Sequence, residues 1–130
     1  MSDHEEIRAL LQRYSRAADE RDIDALASLF HPEAQIAGAR GEQTLEEWLD
    51  TMRGPRTFPS SMHVLGDPLI AMDGDHRGAT TDTYAIVYQL ADPKSGGSDL
   101  TLGIRYLDEL INQDGHWVIR RRSARTVWMR

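Results

Sequence analysis

The hydrophobic period of this chain changes once, and that change dictates what it can fold into. Up to Arg53 the apolar residues recur at three- and four-residue spacing, and from Ser61 onward they tend to alternate. The first pattern lays a stripe along a helix, while the second covers one face of a pleated strand. Ile7, Leu10, Leu11, Tyr14, Ala17 and Ala18 make the first stripe, with Ser2 or Asp3 as its cap. Glu5 and Glu6 suit the positive end of that helix. Asp22 reads as the N-cap of a second helix that turns Ala25, Leu26, Leu29 and Phe30 inward and stops at the His31-Pro32 step. Ala34 to Ala39 is a short candidate strand. Thr44 then caps a third helix, LEEWLDTMR, with Leu45, Trp48, Leu49 and Met52 inward and Gly54-Pro55 as its stop.

Ser61 to Met72, Gly78 to Leu90, Leu100 to Asn112 and His116 to Trp128 are rich in Val, Ile, Thr, Tyr and Trp, the residues of strands. Asp114-Gly115 between two such runs is a strong hairpin signal, and Asp73-Gly74-Asp75 a weaker one. Asp92 to Ser98, DPKSGGS, is a polar connection. Three helices followed by such strands predict an α+β fold with the helices on one face of a curved antiparallel or mixed sheet. That cone-shaped α+β barrel would enclose a cavity suited to a ligand. At 130 residues the chain suits one domain, 1–130.

Composition narrows the function. A net charge of -6 argues against nucleic acid or an anionic membrane surface as partner. The absence of cysteine excludes disulfides, thiolate metal sites and a cysteine nucleophile. The histidines show neither His-x-His nor His-Glu-x-x-His spacing, so no metal is expected. Without a Gly-rich phosphate loop or a dinucleotide fingerprint, no cofactor is expected either, and a Gly-x-Ser-x-Gly turn is also missing. The start, MSDHEEIRALLQRY, lacks the basic and apolar stretches of a signal peptide, and a cytoplasmic protein is the expectation.

Asp19 stands out among the acids. An acid in the last turn of a helix meets the negative end of the dipole, and Asp22 is the better cap for the next helix. Asp19 therefore has no evident structural role. It lies roughly 130° from the centre of the apolar stripe at 100° per residue, so it can face a cavity only if the helix ends or bends near Ala18, or if its flank lines the cavity mouth. His63 sits alone on a strand-like run, where pairing with an acid would give it a mechanism. A carboxylate holding one imidazole nitrogen fixes the tautomer and raises the basicity of the other. Tyr14 reads either as a core aromatic or as a hydrogen-bond donor to a developing oxyanion. Arg105 is either a salt-bridge partner or an anion-stabilising group. Arg120, Arg121 and Arg122 alternate faces and read mostly as solvated. Trp48, Trp117 and Trp128 read as core or interface residues.

The words IRALLQRYSRAADERDIDALASLFHPEA, SSMHVLG and GIRYLDELINQDGHWVIRRR, in this order, resemble the SnoaL-like branch of the nuclear transport factor 2-like superfamily. That branch is similar to dehydratases and lyases of the scytalone dehydratase, bile acid 7α-dehydratase and hexachlorocyclohexane dehydrochlorinase type. The resemblance implies a catalytic pair of a first-helix Asp, here Asp19, and a strand His, here His63. It places Tyr14 five residues before the Asp and sets a C-terminal Arg at Arg125. Arg105, Arg125 and Trp48 complete the candidate set as substrate contacts. The implied function is a cofactor-independent lyase or isomerase acting on a small, largely apolar, aromatic or polycyclic molecule. A non-catalytic ligand-binding or protein-interaction module, an epoxide hydrolase and a polyketide cyclase stay open as alternatives. On family grounds a homo-dimer or homo-trimer is expected.

Overall fold

A computed structural model describes all 130 residues. Three helices, α1 (Asp3–Glu20), α2 (Ile23–Ser28) and α3 (Leu45–Arg53), are interleaved with and followed by seven strands. These are β1 (Phe30–Gly38), β2 (Gly41–Thr44), β3 (Ser60–Leu65), β4 (Leu69–Met72), β5 (Gly78–Leu90), β6 (Leu100–Gln113) and β7 (His116–Met129). They form one mixed, open, curved sheet in the order β2-β1-β7-β6-β5-β3, with β4 pairing the other half of β5. Only the β1–β7 pair is parallel.

The capping residues act as their chemistry dictates. Ser2 accepts from the Glu5 N–H at 3.1 Å, and Asp22 accepts from the Ala25 N–H at 3.1 Å. Thr44 and Glu47 form a reciprocal capping box at the start of α3. Replacing Thr44 by Ala is expected to destabilise the chain by about 1 kcal/mol. Urea unfolding checks this, with the midpoint falling and the slope unchanged.

Four elements differ from the sequence-based expectation, the hairpin strand β2 among them, which pairs back on β1 where only a break was expected. The second helix ends at Ser28, so Phe30 begins β1 rather than closing the helix face. Pro32 lies within β1, in the interval where its register with β7 is interrupted, which is where a missing N–H does least harm. The run from Ser61 to Met72 is two strands, broken at Gly66 to Pro68, that pair successive stretches of β5.

Twenty buried residues make the core between the helices and the concave face of the sheet. Ile7, Leu10, Leu11 and Tyr14 of α1 meet Val87 of β5, Tyr106 and Leu110 of β6, and Ile119 of β7 within that cluster. Fully burying a side chain of this size is worth about 1.5–3 kcal/mol. The helices are therefore held by packing more than by their own propensity.

Candidate active site

The C-terminal end of α1 sets Asp19 in place. The helix ends at Glu20, and Arg21 turns the chain in the left-handed region at φ 52°, with its N–H on the Ala17 and Ala18 carbonyls. The edge strand β3 packs on α1 and turns Ser61, His63 and Leu65 toward it, while Met62 and Val64 face out. The geometry that the helical wheel made difficult is met because β3 comes to the flank of the helix.

Three bonds converge on the Asp19 carboxylate. Oδ1 accepts from the Ser61 hydroxyl at 2.8 Å and lies 2.6 Å from His63 Nδ1. Oδ2 accepts from the His63 backbone N–H at 2.9 Å. A carboxylate accepts only, so the imidazole proton belongs on Nδ1, and Nε2, with no partner in the chain, is left as the free acceptor. The sequence-based view of Asp19 needs one correction. Its carboxylate has a structural role after all, since it satisfies a backbone donor on the unpaired side of an edge strand and so ties β3 to α1.

The surroundings keep His63 neutral. Its side chain is 11% exposed and that of Asp19 22%. Burial pushes the imidazole below its ordinary value, the Asp19 hydrogen bond and charge pull it back up, and the Arg122 and Arg21 charges lower it again. The net direction is down, which leaves the imidazole unprotonated and its Nε2 able to accept near neutral pH.

Tyr14 lies at the centre of an aromatic group. Its ring centroid is 6.0 Å from His63 edge-on, 5.9 Å from Tyr106 and 6.4 Å from Trp48, with which it stacks. The Arg122 guanidinium packs against two of these rings, 4.0 Å from the Tyr14 centroid and 4.2 Å from that of Tyr106. Arg122 is held by Asp108 through two bonds of 2.8 and 2.9 Å, both residues being buried. Burial alone would lower its pKa, but Asp108 outweighs it and the guanidinium is held above its ordinary value. Burial pushes the Tyr106 phenol well up.

Beside this group, a cleft of about 390 Å³ lies between the ends of α1 and α3 and strands β1 and β7. Tyr14, Trp48, Phe58, Arg56 and Arg122 are among its lining residues. Asp19 and His63 do not line it but stand one side chain away. Tyr14 connects them through the His63 ring, and Arg56 through a 3.3 Å bond to Ser61. No group of three or more His, Cys, Asp or Glu side chains gathers as a metal site.

Two candidate substrate contacts lie elsewhere. Arg105 points from the outer face of the sheet, bound to Asp82 through Nε at 2.9 Å, and Arg125 is its cross-strand neighbour on that face. Neither lines the cleft. Side-chain alternation decides this, because Tyr106 faces the helices and its neighbour Arg105 must face away. Trp48 does line the cleft. The residues that sequence reasoning missed are Asp108, Arg122, Arg21, Arg56 and Ser61. A signal for Asp108 exists in the alternation Ile104, Tyr106, Asp108, Leu110, which puts the acid on the inner face.

Helices packed on one curved mixed sheet make a cone-shaped α+β fold, and the end of its first helix brings a carboxylate onto a strand histidine. The chain belongs to the family of SnoaL-like domains, which matches residues 1–123. Uncharacterized proteins of Mycobacterium tuberculosis and Mycobacterium bovis are 30% identical to it over 128 residues, spanning 94% of this chain and 84% of theirs. Among solved structures, a scytalone dehydratase-type protein of Novosphingobium aromaticivorans superposes with a TM-score of 0.86 at 21% identity, covering 97% of this chain and 85% of that one. A hexachlorocyclohexane dehydrochlorinase gives 0.83 at 15% identity over 96% and 85% of the two chains. A nuclear transport factor 2-like protein of Salmonella enterica gives 0.83 at 18% identity over 95% and 89%. At these identities the likeness is one of fold. No helix is long and apolar enough to cross a membrane.

Proposed function

We propose that the chain is a cofactor-independent lyase of dehydratase type, or an isomerase, with His63 as general base. The observation that supports it most is the 2.6 Å contact of His63 Nδ1 with a carboxylate whose own position is fixed by two further donors. In this reading Nε2 takes a proton from a substrate carbon. The C–H electron pair becomes the new double bond, the neighbouring hydroxyl departs, and the imidazolium returns its proton to complete a water molecule. Tyr14 donates a hydrogen bond to the oxygen that gains charge, and Arg122, beneath the Tyr14 ring, steadies that charge. Asp19 orients the imidazole and stabilises its protonated form.

The chemistry is read without knowing the substrate. In deuterated water, the acidic C–H positions of a panel of aryl ketones and β-hydroxy ketones exchange faster with the chain than with its His63→Ala variant. Equal exchange rates across the panel would sink the proposal. One observation favours a ligand-binding module instead: Asp19 and His63 stand beside the cleft rather than on its wall, and Asp19 has a structural role. That reading expects binding in the cleft and no exchange.

The proposal includes assembly of the chain with further copies of itself. Tyr84, Ile86, Tyr88, Val127 and Trp128 lie exposed on the outer face of the sheet, beyond what scattered surface residues explain. Light scattering is expected to give a dimer or trimer of the 14.7 kDa chain, and Ile86→Glu a monomer. A native chain that stays monomeric at every concentration would remove this part.

A further inference from the structure

The charged residues that line the cleft are Arg21, Arg40, Arg56 and Arg122, and no Asp or Glu joins them. This is an unusual concentration in a chain with 21 acidic and 15 basic residues. The pairing of these arginines is as telling as their number. Arg21 donates only to the Met52 carbonyl, at 3.1 Å. Arg56 donates to the Asp19 carbonyl at 3.5 Å and to the Ser61 hydroxyl at 3.3 Å, and its buried Nε has no partner. Arg122 is 2% exposed, and its third nitrogen, Nη1, is buried and unpaired although Asp108 holds the other two. Only Arg122 of the four has a carboxylate of its own.

Two half-buried guanidiniums side by side without a counter-ion are costly to keep. Burial lowers the Arg21 pKa, and the neighbouring Arg56 charge lowers it further. Arg21 also occupies a left-handed backbone position, at φ 52°, where glycine is the usual and easier residue. The rest of the wall mixes an aromatic and aliphatic part, Tyr14, Trp48, Phe58 and Ile36, with the uncharged polar side chains of Gln43, Thr51, Thr57 and Gln89. Its volume, about 390 Å³, falls within the range of small-molecule sites.

We infer that the cleft takes an aromatic carboxylate, its ring against Tyr14, Trp48 and Phe58 and its charge answered by Arg21, Arg56 and Arg122. A guanidinium offers a carboxylate paired donors in a plane, and the match is strongest where water is partly excluded. The inference deepens the proposed function by giving its substrate a class, an aromatic acid where the sequence pointed only to a small, largely apolar molecule. The binding itself does not depend on turnover.

Calorimetric titration of the native chain with benzoate and 2-naphthoate, against the neutral amides of the same shape, tests it. The acid of at least one pair is expected to bind about tenfold or more tightly than its amide, with the advantage shrinking as salt is added. Arg21→Gln and Arg56→Gln are each expected to remove most of that advantage. Arg120→Gln, the same change of charge at an exposed position of β7, leaves it intact. Amides that bind as well as the acids overturn the inference, as does failure of both acids to bind. So does an advantage that survives both cleft substitutions. A chain inactive in C–H exchange that still prefers the acids would defeat the dyad and leave this inference standing.

Discussion

Replacing Asp108 by Ala is expected to cost about 3–5 kcal/mol, because it strands a buried guanidinium without its counter-charge. The side chains of Arg122 and Asp108 are 2% and 0% exposed, so no solvent is available to take over the pairing. Against a total stability of about 5–15 kcal/mol for a domain, that loss is large and should lower the melting temperature by about 10 °C or more. Arg122 cannot swing out to water, since it is 2% exposed and packed against the Tyr14 and Tyr106 rings. Lysine at position 122 should not rescue the fold, because it offers neither the paired donors nor the flat faces. The double replacement Asp108→Leu with Arg122→Met is expected to recover most of the stability, since the penalty belongs to the unpaired charge and not to the lost pair. A surface pair shows the contrast. Arg121 and Glu42 are 2.7 Å apart with both side chains 53% exposed, and breaking them should move stability by about 1 kcal/mol or less. Thermal melts of the four variants decide the matter. Asp108→Ala melting like the native chain would refute the structural weight placed on this pair.

The same pair marks where the sequence stops being legible. The caps at Asp22 and Thr44 and the hairpin at Asp114-Gly115 are local, set within a few residues, and they lie where the sequence places them. Asp114 and Gly115 both take positive φ, 53° and 89°, as a two-residue turn of this kind demands. Counting outward from that turn, residue against residue, pairs Asp108 with Arg121. In the structure a bulge between Glu109 and Leu110 shifts the register, so that Arg120 and Arg121 both face out and Asp108 meets Arg122. One extra residue in one strand is invisible to periodicity, and it turns a row of arginines that read as solvated into the centre of a buried network. β1 is obscured for a related reason. Its parallel partner, β7, lies more than eighty residues later in the chain, and Pro32 hides its start. Asp19 shows a third limit. The helical wheel measures its angle from the apolar stripe correctly, but the contact comes from an edge strand at the flank, which no pattern within the helix reports.

His63→Ala is expected to lower C–H exchange or elimination by about 10²–10⁴-fold, the contribution of a positioned general base. Asp19→Asn should also fall, but Asp19 holds β3 to α1, so lost activity alone would not separate a catalytic role from a structural one. The pH profile does. His63 is pushed below 6.5 chiefly by burial, so the native rate should persist as pH falls past 6.5 and drop only at the lower pKa of the folded state. Asp19 is the group that pulls this pKa up. Removing its charge must therefore move the acid limb of kcat/KM to still lower pH, even as the maximum rate falls. If Asp19 matters only by holding β3, its loss would free the strand and expose His63, and the limb would move up toward 6.5 as burial is lost. Stability follows the same sign. Because the folded imidazole resists a proton that the unfolded chain accepts, stability is intact above about pH 6.5 and declines as pH falls from there through the folded pKa. In His63→Ala that part of the decline should disappear from urea titrations taken at several pH values. NMR titration of the His63 ring in the native chain gives the folded pKa directly. A value above 6.5 would mean that Asp19 outweighs burial, and the acid limb of the native profile would then lie above 6.5 rather than below it.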